Sequence, residues 1–197
     1  MSVTTEIGPL TPVQICQLRA EFEAVLDFYE DEAPRSVLEI GTASGGSLYH
    51  WIKRGASGAV IVTVDLPDPD YESAERFYDE WRAASEIKGV EQIRGNSHDP
   101  ATISTVARFA PFDWVFIDGC HVYEDAHADY MNYGTMTRPG GVVLLHDIAL
   151  KRRYEDGREA GVWRLWEEIR ATGAWTREFR AGLDTDAYGI GALRVPG

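Results

Sequence analysis

Five short apolar runs limit what this chain can fold into: SVLEI at 36–40, AVIVTVD at 59–65, VEQIR at 90–94, FDWVFID at 112–118 and GVVLLHD at 141–147. They are rich in β-branched and aromatic residues, and the second is apolar on both faces, as suits a strand buried in a parallel sheet. Between them lie segments that fit crossover helices, at about 46–54, 71–87, 100–109 and 123–133. Strands alternating with helices of that length build a parallel sheet with helices on both faces. A further helix at about 161–172 precedes two last strand-like stretches, WTREFRA (175–181) and AYGIGALRV (187–195). The expectation is an α/β fold with a doubly wound, mostly parallel sheet of seven strands.

Residues 1–10 read as a flexible lead-in and 11–197 as a single domain. Thr11-Pro12 supplies a cap and a first-position proline for a helix. Ile15, Leu18, Phe22, Val25, Leu26 and Tyr29 then hold helical spacing, and Pro34 stops it. With 19 Lys+Arg against 32 Asp+Glu the net charge is −13, which disfavours nucleic acid and anionic membranes as partners. The longest basic run is Lys151-Arg152-Arg153. No stretch approaches the ~18 apolar residues of a membrane span, and the first residues, MSVTTEIGPL, do not resemble a signal peptide. Cys16 and Cys120 lack disulfide or metal-site spacing, so a reducing cytoplasm is expected.

In open α/β sheets ligands bind beyond the carboxyl ends of the strands, and here those ends carry the chemistry. After the first run comes Glu39-Ile40-Gly41-Thr42-Ala43-Ser44-Gly45-Gly46, a glycine-rich strand-to-helix turn that lets backbone approach a ligand closely. It is not a phosphate loop, because no Gly-Lys-Ser/Thr follows. Asp65, 24 residues beyond Gly41, can accept hydrogen bonds from ribose hydroxyls. Asn96 and Ser97 after the third run suit an adenine edge or simple turn chemistry. Asp118 and Asp147 end the fourth and fifth runs, on strands expected to be neighbours about 5 Å apart. Two unpaired carboxylates that close call for a cation, Mg²⁺ first, with His146 as a weaker ligand. His121 has an imidazole suited to taking a proton near neutrality. His50, His98 and His127 fit helix or loop surface.

VLEIGTASGG resembles the first motif of class I S-adenosylmethionine-dependent methyltransferases, and FIDGCHVYEDAHADY, PGGVVLLHDI and GVWRLWEEI extend the match over roughly 35–195. Together they resemble the small natural-product and sugar O-methyltransferase group, which includes macrocin-type and rhamnosyl enzymes and cephalosporin-hydroxylase-like proteins. The resemblance implies a Rossmann-like sheet whose last strand is antiparallel. It implies that Glu39, Gly41 and the turn of Thr42, Ala43, Ser44, Gly45 and Ser47 hold the methionine part of the cofactor. Asp65 would hold the ribose, Asn96 and Ser97 would lie near the adenine, and Asp118 would border the cofactor. In metal-dependent members, acids at the positions of Asp118 and Asp147 hold Mg²⁺, and His121 sits where a base can stand. Two departures are visible: His146 replaces an acid or amide beside the second carboxylate, and Ala43 replaces a common glycine.

The reaction so implied is transfer of a methyl group to a hydroxyl of a small molecule, with residues 148–160, including Tyr154, Glu155 and Arg158, as a candidate lid. Two other readings stand: a nicotinamide-dependent oxidoreductase on a similar sheet, and a non-catalytic cofactor-binding member of the fold. Trp163 and Trp166 fit core packing, or a homo-oligomer contact.

Overall fold

The computed structural model describes residues 15–67, 80, 81, 83, 85–181 and 188–197. The first helix, α1, runs over Arg19–Glu32 and buries Phe22, Val25, Leu26 and Tyr29 on one face. It starts later than its apolar spacing suggests. Leu18 stands at its N-cap in extended conformation and provides no side-chain cap. Ile15 and Gln17 are therefore buried from a non-helical segment. The proposed start at Thr11-Pro12 and most of the helix expected at 71–87 lie outside the described residues.

The strands are β1 (Ser36–Ile40), β2 (Val60–Asp65), β3 (Gly89–Arg94), β4 (Phe112–Ile117), β5 (Thr137–His146), β6 (Thr176–Phe179) and β7 (Ile190–Arg194). The intervening helices are α2 (Gly46–Arg54), α3 (Pro100–Val106), α4 (Tyr123–Tyr133) and α5 (Val162–Ala171). The sheet has the order β3-β2-β1-β4-β5-β7-β6. β1 to β5 pair in parallel, and β7 is antiparallel to both β5 and β6. The expected seven-stranded, mostly parallel sheet with an antiparallel last strand is what forms. β5 begins at Thr137 rather than 141, because Arg138-Pro139-Gly140 runs on in extended conformation and Thr137 pairs with Phe112.

Strand order reverses between β1 and β4, which places a crevice at their carboxyl ends. Each face of the sheet carries its own apolar layer. One gathers Phe22, Trp51, Trp114 and Phe116; the other gathers Leu38, Val62, Val115 and Trp166. Because side chains alternate along a strand, Val37 enters the first layer and Leu38 and Ile40 the second. Glu39 falls in the aromatic layer by the same alternation. One strand in from the β6 edge, the Arg194 guanidinium on β7 grips the Glu32 carboxylate at 3.0 and 2.5 Å, tying the sheet to α1.

Candidate active site

A cleft of about 1000 Å³ opens at the carboxyl ends of β1, β2, β4 and β5, the upper end of the usual size for a small-molecule site. Its first wall is the turn after β1. Gly41 has φ +92°, and a Cβ there would stand 2.1 Å from the Asp118 carbonyl oxygen. Only glycine lets the ends of β1 and β4 meet so closely. Gly45, at φ +82°, caps the start of α2 and lies behind the wall, while Thr42, Ala43, Ser44 and Ser47 line it. Ala43 takes the left-handed conformation at φ +45°, where a side chain costs strain.

Glu39 is fully buried and does not line the cleft, contrary to a direct role in holding cofactor. Its Oε1 accepts from the Ser47 hydroxyl at 2.6 Å and the Trp51 indole at 2.8 Å, and its Oε2 from Thr63 at 3.2 Å. Burial pushes its carboxyl up to about 7, with those three donors pulling the other way. Glu39 therefore shapes the turn from beneath, through Ser47. Asp65 reaches the cleft with its Oδ2 held by the backbone N–H groups of Thr42 and Ala43 at 3.0 and 2.6 Å, and its Oδ1 by that of Leu66. A carboxylate has about four lone-pair sites, which leaves room for a ligand hydroxyl. Asn96 and Ser97 line the cleft; the Asn96 amide oxygen also closes a turn onto the His98 N–H.

The opposite wall carries the ends of β4 and β5. Asp118 Oδ2 accepts from the Gln17 amide at 2.5 Å, and its Oδ1 lies 2.9 Å from His146 Nδ1. Asp147, held at φ +63° and 2 % exposed, turns back so that its Oδ2 lies 2.5 Å from His121 Nδ1. Such a backbone is rare for a non-glycine residue and costs about 1–3 kcal/mol. The strain aims the carboxylate at His121. Burial alone would lower the His121 imidazole, but the hydrogen bond and charge of Asp147, helped by Asp118, leave it raised. Burial likewise pushes Asp147 up, and His146 and His121 outweigh it, so its carboxyl titrates low. His121 keeps 39 % of its side chain exposed to the cleft.

The divalent ion expected between Asp118 and Asp147 does not fit this donor set. The His146 ring stands there instead, with Nδ1 2.9 Å from Asp118 and 3.4 Å from Asp147. Among the described residues no group of three or more His, Cys, Asp or Glu side chains is arranged to hold a metal. Other placements also differ. His50 is buried rather than superficial, edge-on to Phe22 and Tyr49, and desolvation lowers it to about 4. His98 lines the cleft and lies 3.3 Å from the buried Asp129. In the segment 148–160, Leu150, Arg152 and Tyr154 face the cleft, whereas Arg158 pairs with Asp156. Gln17, Leu66 and Tyr188 also line the site, and no motif or spacing in the sequence marks them. Trp166 packs in the core, as expected.

A sheet of this order with an antiparallel β7, and a cleft walled by a glycine turn and an acid at the end of β2, define the class I methyltransferase architecture. Residues 38–148, more than half of the chain, match the family described as Methyltransferase domain, and the chain belongs to that family, within the S-adenosylmethionine-dependent class. It is 28% identical over 128 residues to demethylmacrocin O-methyltransferase of Streptomyces fradiae, covering 61% of this chain and 29% of that protein. It thus spans less than a third of that relative, and 15% of a second one, protein y4gI of Sinorhizobium fredii. Among solved structures, an O-methyltransferase from Bacillus cereus in complex with SAH superposes with a TM-score of 0.69 at 19% identity, over 94% of this chain and 84% of that one. The O-methyltransferase TomG of Streptomyces achromogenes, in complex with SAM, gives 0.67 at 24% identity over 89% and 79%. Among the described residues no helix is long and apolar enough to cross a membrane.

Proposed function

We propose that this domain transfers the methyl group of S-adenosylmethionine to a hydroxyl oxygen of a small natural product, such as a sugar-bearing one. The observation that carries the reading is the His121–Asp147 pair, 2.5 Å apart and open to the cleft opposite the glycine turn. The methionine end of the cofactor lies along Thr42, Ala43, Ser44 and Ser47. The ribose meets Asp65, and the adenine lies between Leu66 and the Asn96–Ser97 turn. Among the described residues lining the cleft, Asp65, Asp118, Asp125 and Asp147 are acidic and Arg152 is the one arginine or lysine, a field that favours a sulfonium cation.

The acceptor oxygen attacks the methyl carbon in line with the carbon–sulfur bond. The new C–O bond forms as the C–S bond breaks, and the sulfur leaves as a neutral thioether. His121 Nε2 takes the hydroxyl proton, while Asp147 fixes the ring by its Nδ1–H and stabilises the imidazolium. Holding acceptor and methyl group in line supplies much of the remaining acceleration. Demethylmacrocin O-methyltransferase among the relatives supports a natural-product hydroxyl. The free thiols Cys16 and Cys120 support a cytoplasmic location. The test is calorimetric titration with S-adenosylhomocysteine and with NAD(H), followed by methyl transfer to a panel of hydroxylated acceptors. Binding of NAD(H) alone would replace this reading with the oxidoreductase one.

A further inference from the structure

The acceptor-side wall sets two carboxylates around one imidazole. Asp118 takes the Gln17 amide on one oxygen and the His146 ring on the other. Asp147 takes His121 on one oxygen, and its other oxygen, 3.4 Å from the same His146 nitrogen, is buried with no hydrogen-bond partner among the described residues. The His146 ring is 3 % exposed and stacked at 23° against Tyr188, with 6.1 Å between centroids. Ionised carboxylates only accept, so Nδ1, bonded to Asp118 and facing Asp147, is the donor. A cation approaching both acids would meet that N–H proton head-on. The backbone offers the ring no easy exit, because His146 pairs with Ile190 of β7 and the next amides, Ile148 and Ala149, bond to Gly189 and Tyr188.

We propose that the His146 side chain takes the place of a bound divalent cation in this chain, so that Asp118 and Asp147 work as a histidine-bridged pair that takes up no metal. The inference rests on the reading of these acids as the acceptor-side wall. His146 is a positioning residue: it holds the two carboxylates at fixed separation, and Asp147 in turn holds His121. Hard cations favour oxygen donors, and replacing this one nitrogen side chain by a carboxylate would restore an all-oxygen set.

The test reads metal uptake rather than methyl transfer, so its failure and that of the proposed function are distinguishable. Metal-free protein is titrated with Mn²⁺ and the free ion is followed by electron paramagnetic resonance. The wild type is expected to leave Mn²⁺ free, and His146→Glu to bind one ion per chain at least about tenfold more tightly. Stoichiometric uptake by the wild type that disappears in Asp147→Asn overturns the proposal, as does a folded His146→Glu protein with no gain. Should that variant not fold, nitrogen-15 spectra of the wild-type imidazoles decide. A His146 signal unmoved by millimolar Mg²⁺ supports the bridge, and one that shifts overturns it.

Discussion

The carboxylates on and beneath the two sides of the cleft are satisfied by opposite means. On the cofactor side, Glu39 and Asp65 take neutral donors: hydroxyls, an indole and backbone amides. On the acceptor side, Asp118 and Asp147 take imidazoles. Neutral donors do not offset the cost of burying a charge, and Glu39 is pushed up to about 7. Imidazoles do offset it, and Asp147 is held low although it is almost as buried. A wall that only shapes a binding surface can carry a half-protonated acid. In the proposed reaction the His121 ring takes a proton, and an ionised carboxylate beside it favours that step.

The largest break in this contrast is His121→Ala, expected to lower kcat by about 10²–10⁴-fold while the affinity for S-adenosylhomocysteine stays put; equal activity removes His121 as the base. The pH profile sharpens the point. A base works when neutral, so the raised imidazole places the acid limb of kcat above the ordinary value of 6.5. Asp147→Asn leaves desolvation as the main influence, and the limb should move downward together with a loss of rate. A limb that does not move argues against the pairing. Gly41→Ala should cost about 3 kcal/mol or more of stability, since it adds both overpacking and backbone strain, read from the urea midpoint.

On the cofactor side the signature is in stability, not rate. Glu39 titrates near 7 when folded against 4.5 as its ordinary value. Its contribution is therefore full below about 4.5 and is lost as pH rises through about 7, at about 1.4 kcal/mol for each pH unit separating the folded and unfolded values. The melting temperature of the wild type relative to Glu39→Gln should fall across that window and then level off; parallel curves would sink the assignment. The smallest effect belongs to Ala43→Gly, which relieves a left-handed side chain but loosens the unfolded chain, a net gain of about 0.5 kcal/mol.

Much of this was legible in the sequence for a physical reason. A run apolar on both faces marks a buried strand, as at β2, and the runs bound β1 to β4 to within a residue, although β3, from VEQIR, is only half-buried. Helices α2 and α4 match equally well. Where periodicity extends past the element it misleads: Ile15 and Leu18 keep helical spacing with α1 yet precede it. Strand alternation also shows that Glu39 shares the face of Val37, away from a ligand, but only once β1 is known to be buried on both sides. The placing of the His146 ring between Asp118 and Asp147 was not legible. It depends on the positive φ of Asp147, which turns a strand end back on itself, and no composition or spacing announces that. Gln17 escaped for a similar reason, being brought to Asp118 across 101 positions of chain.

The insertion of β7 between β5 and β6 has a consequence for the order in which the molecule can be completed. β5 ends at His146, whose backbone partner is Ile190, and the amides just beyond it are held by Tyr188 and Gly189. On the ribosome, the first five strands emerge well before that partner exists. Until residue 194 clears the exit tunnel, β5 presents a bare edge, the kind of surface that invites pairing with a neighbouring chain. The described residues that line the cleft are all made by position 154, apart from Tyr188, whereas the strand that holds the end of β5 in place comes last.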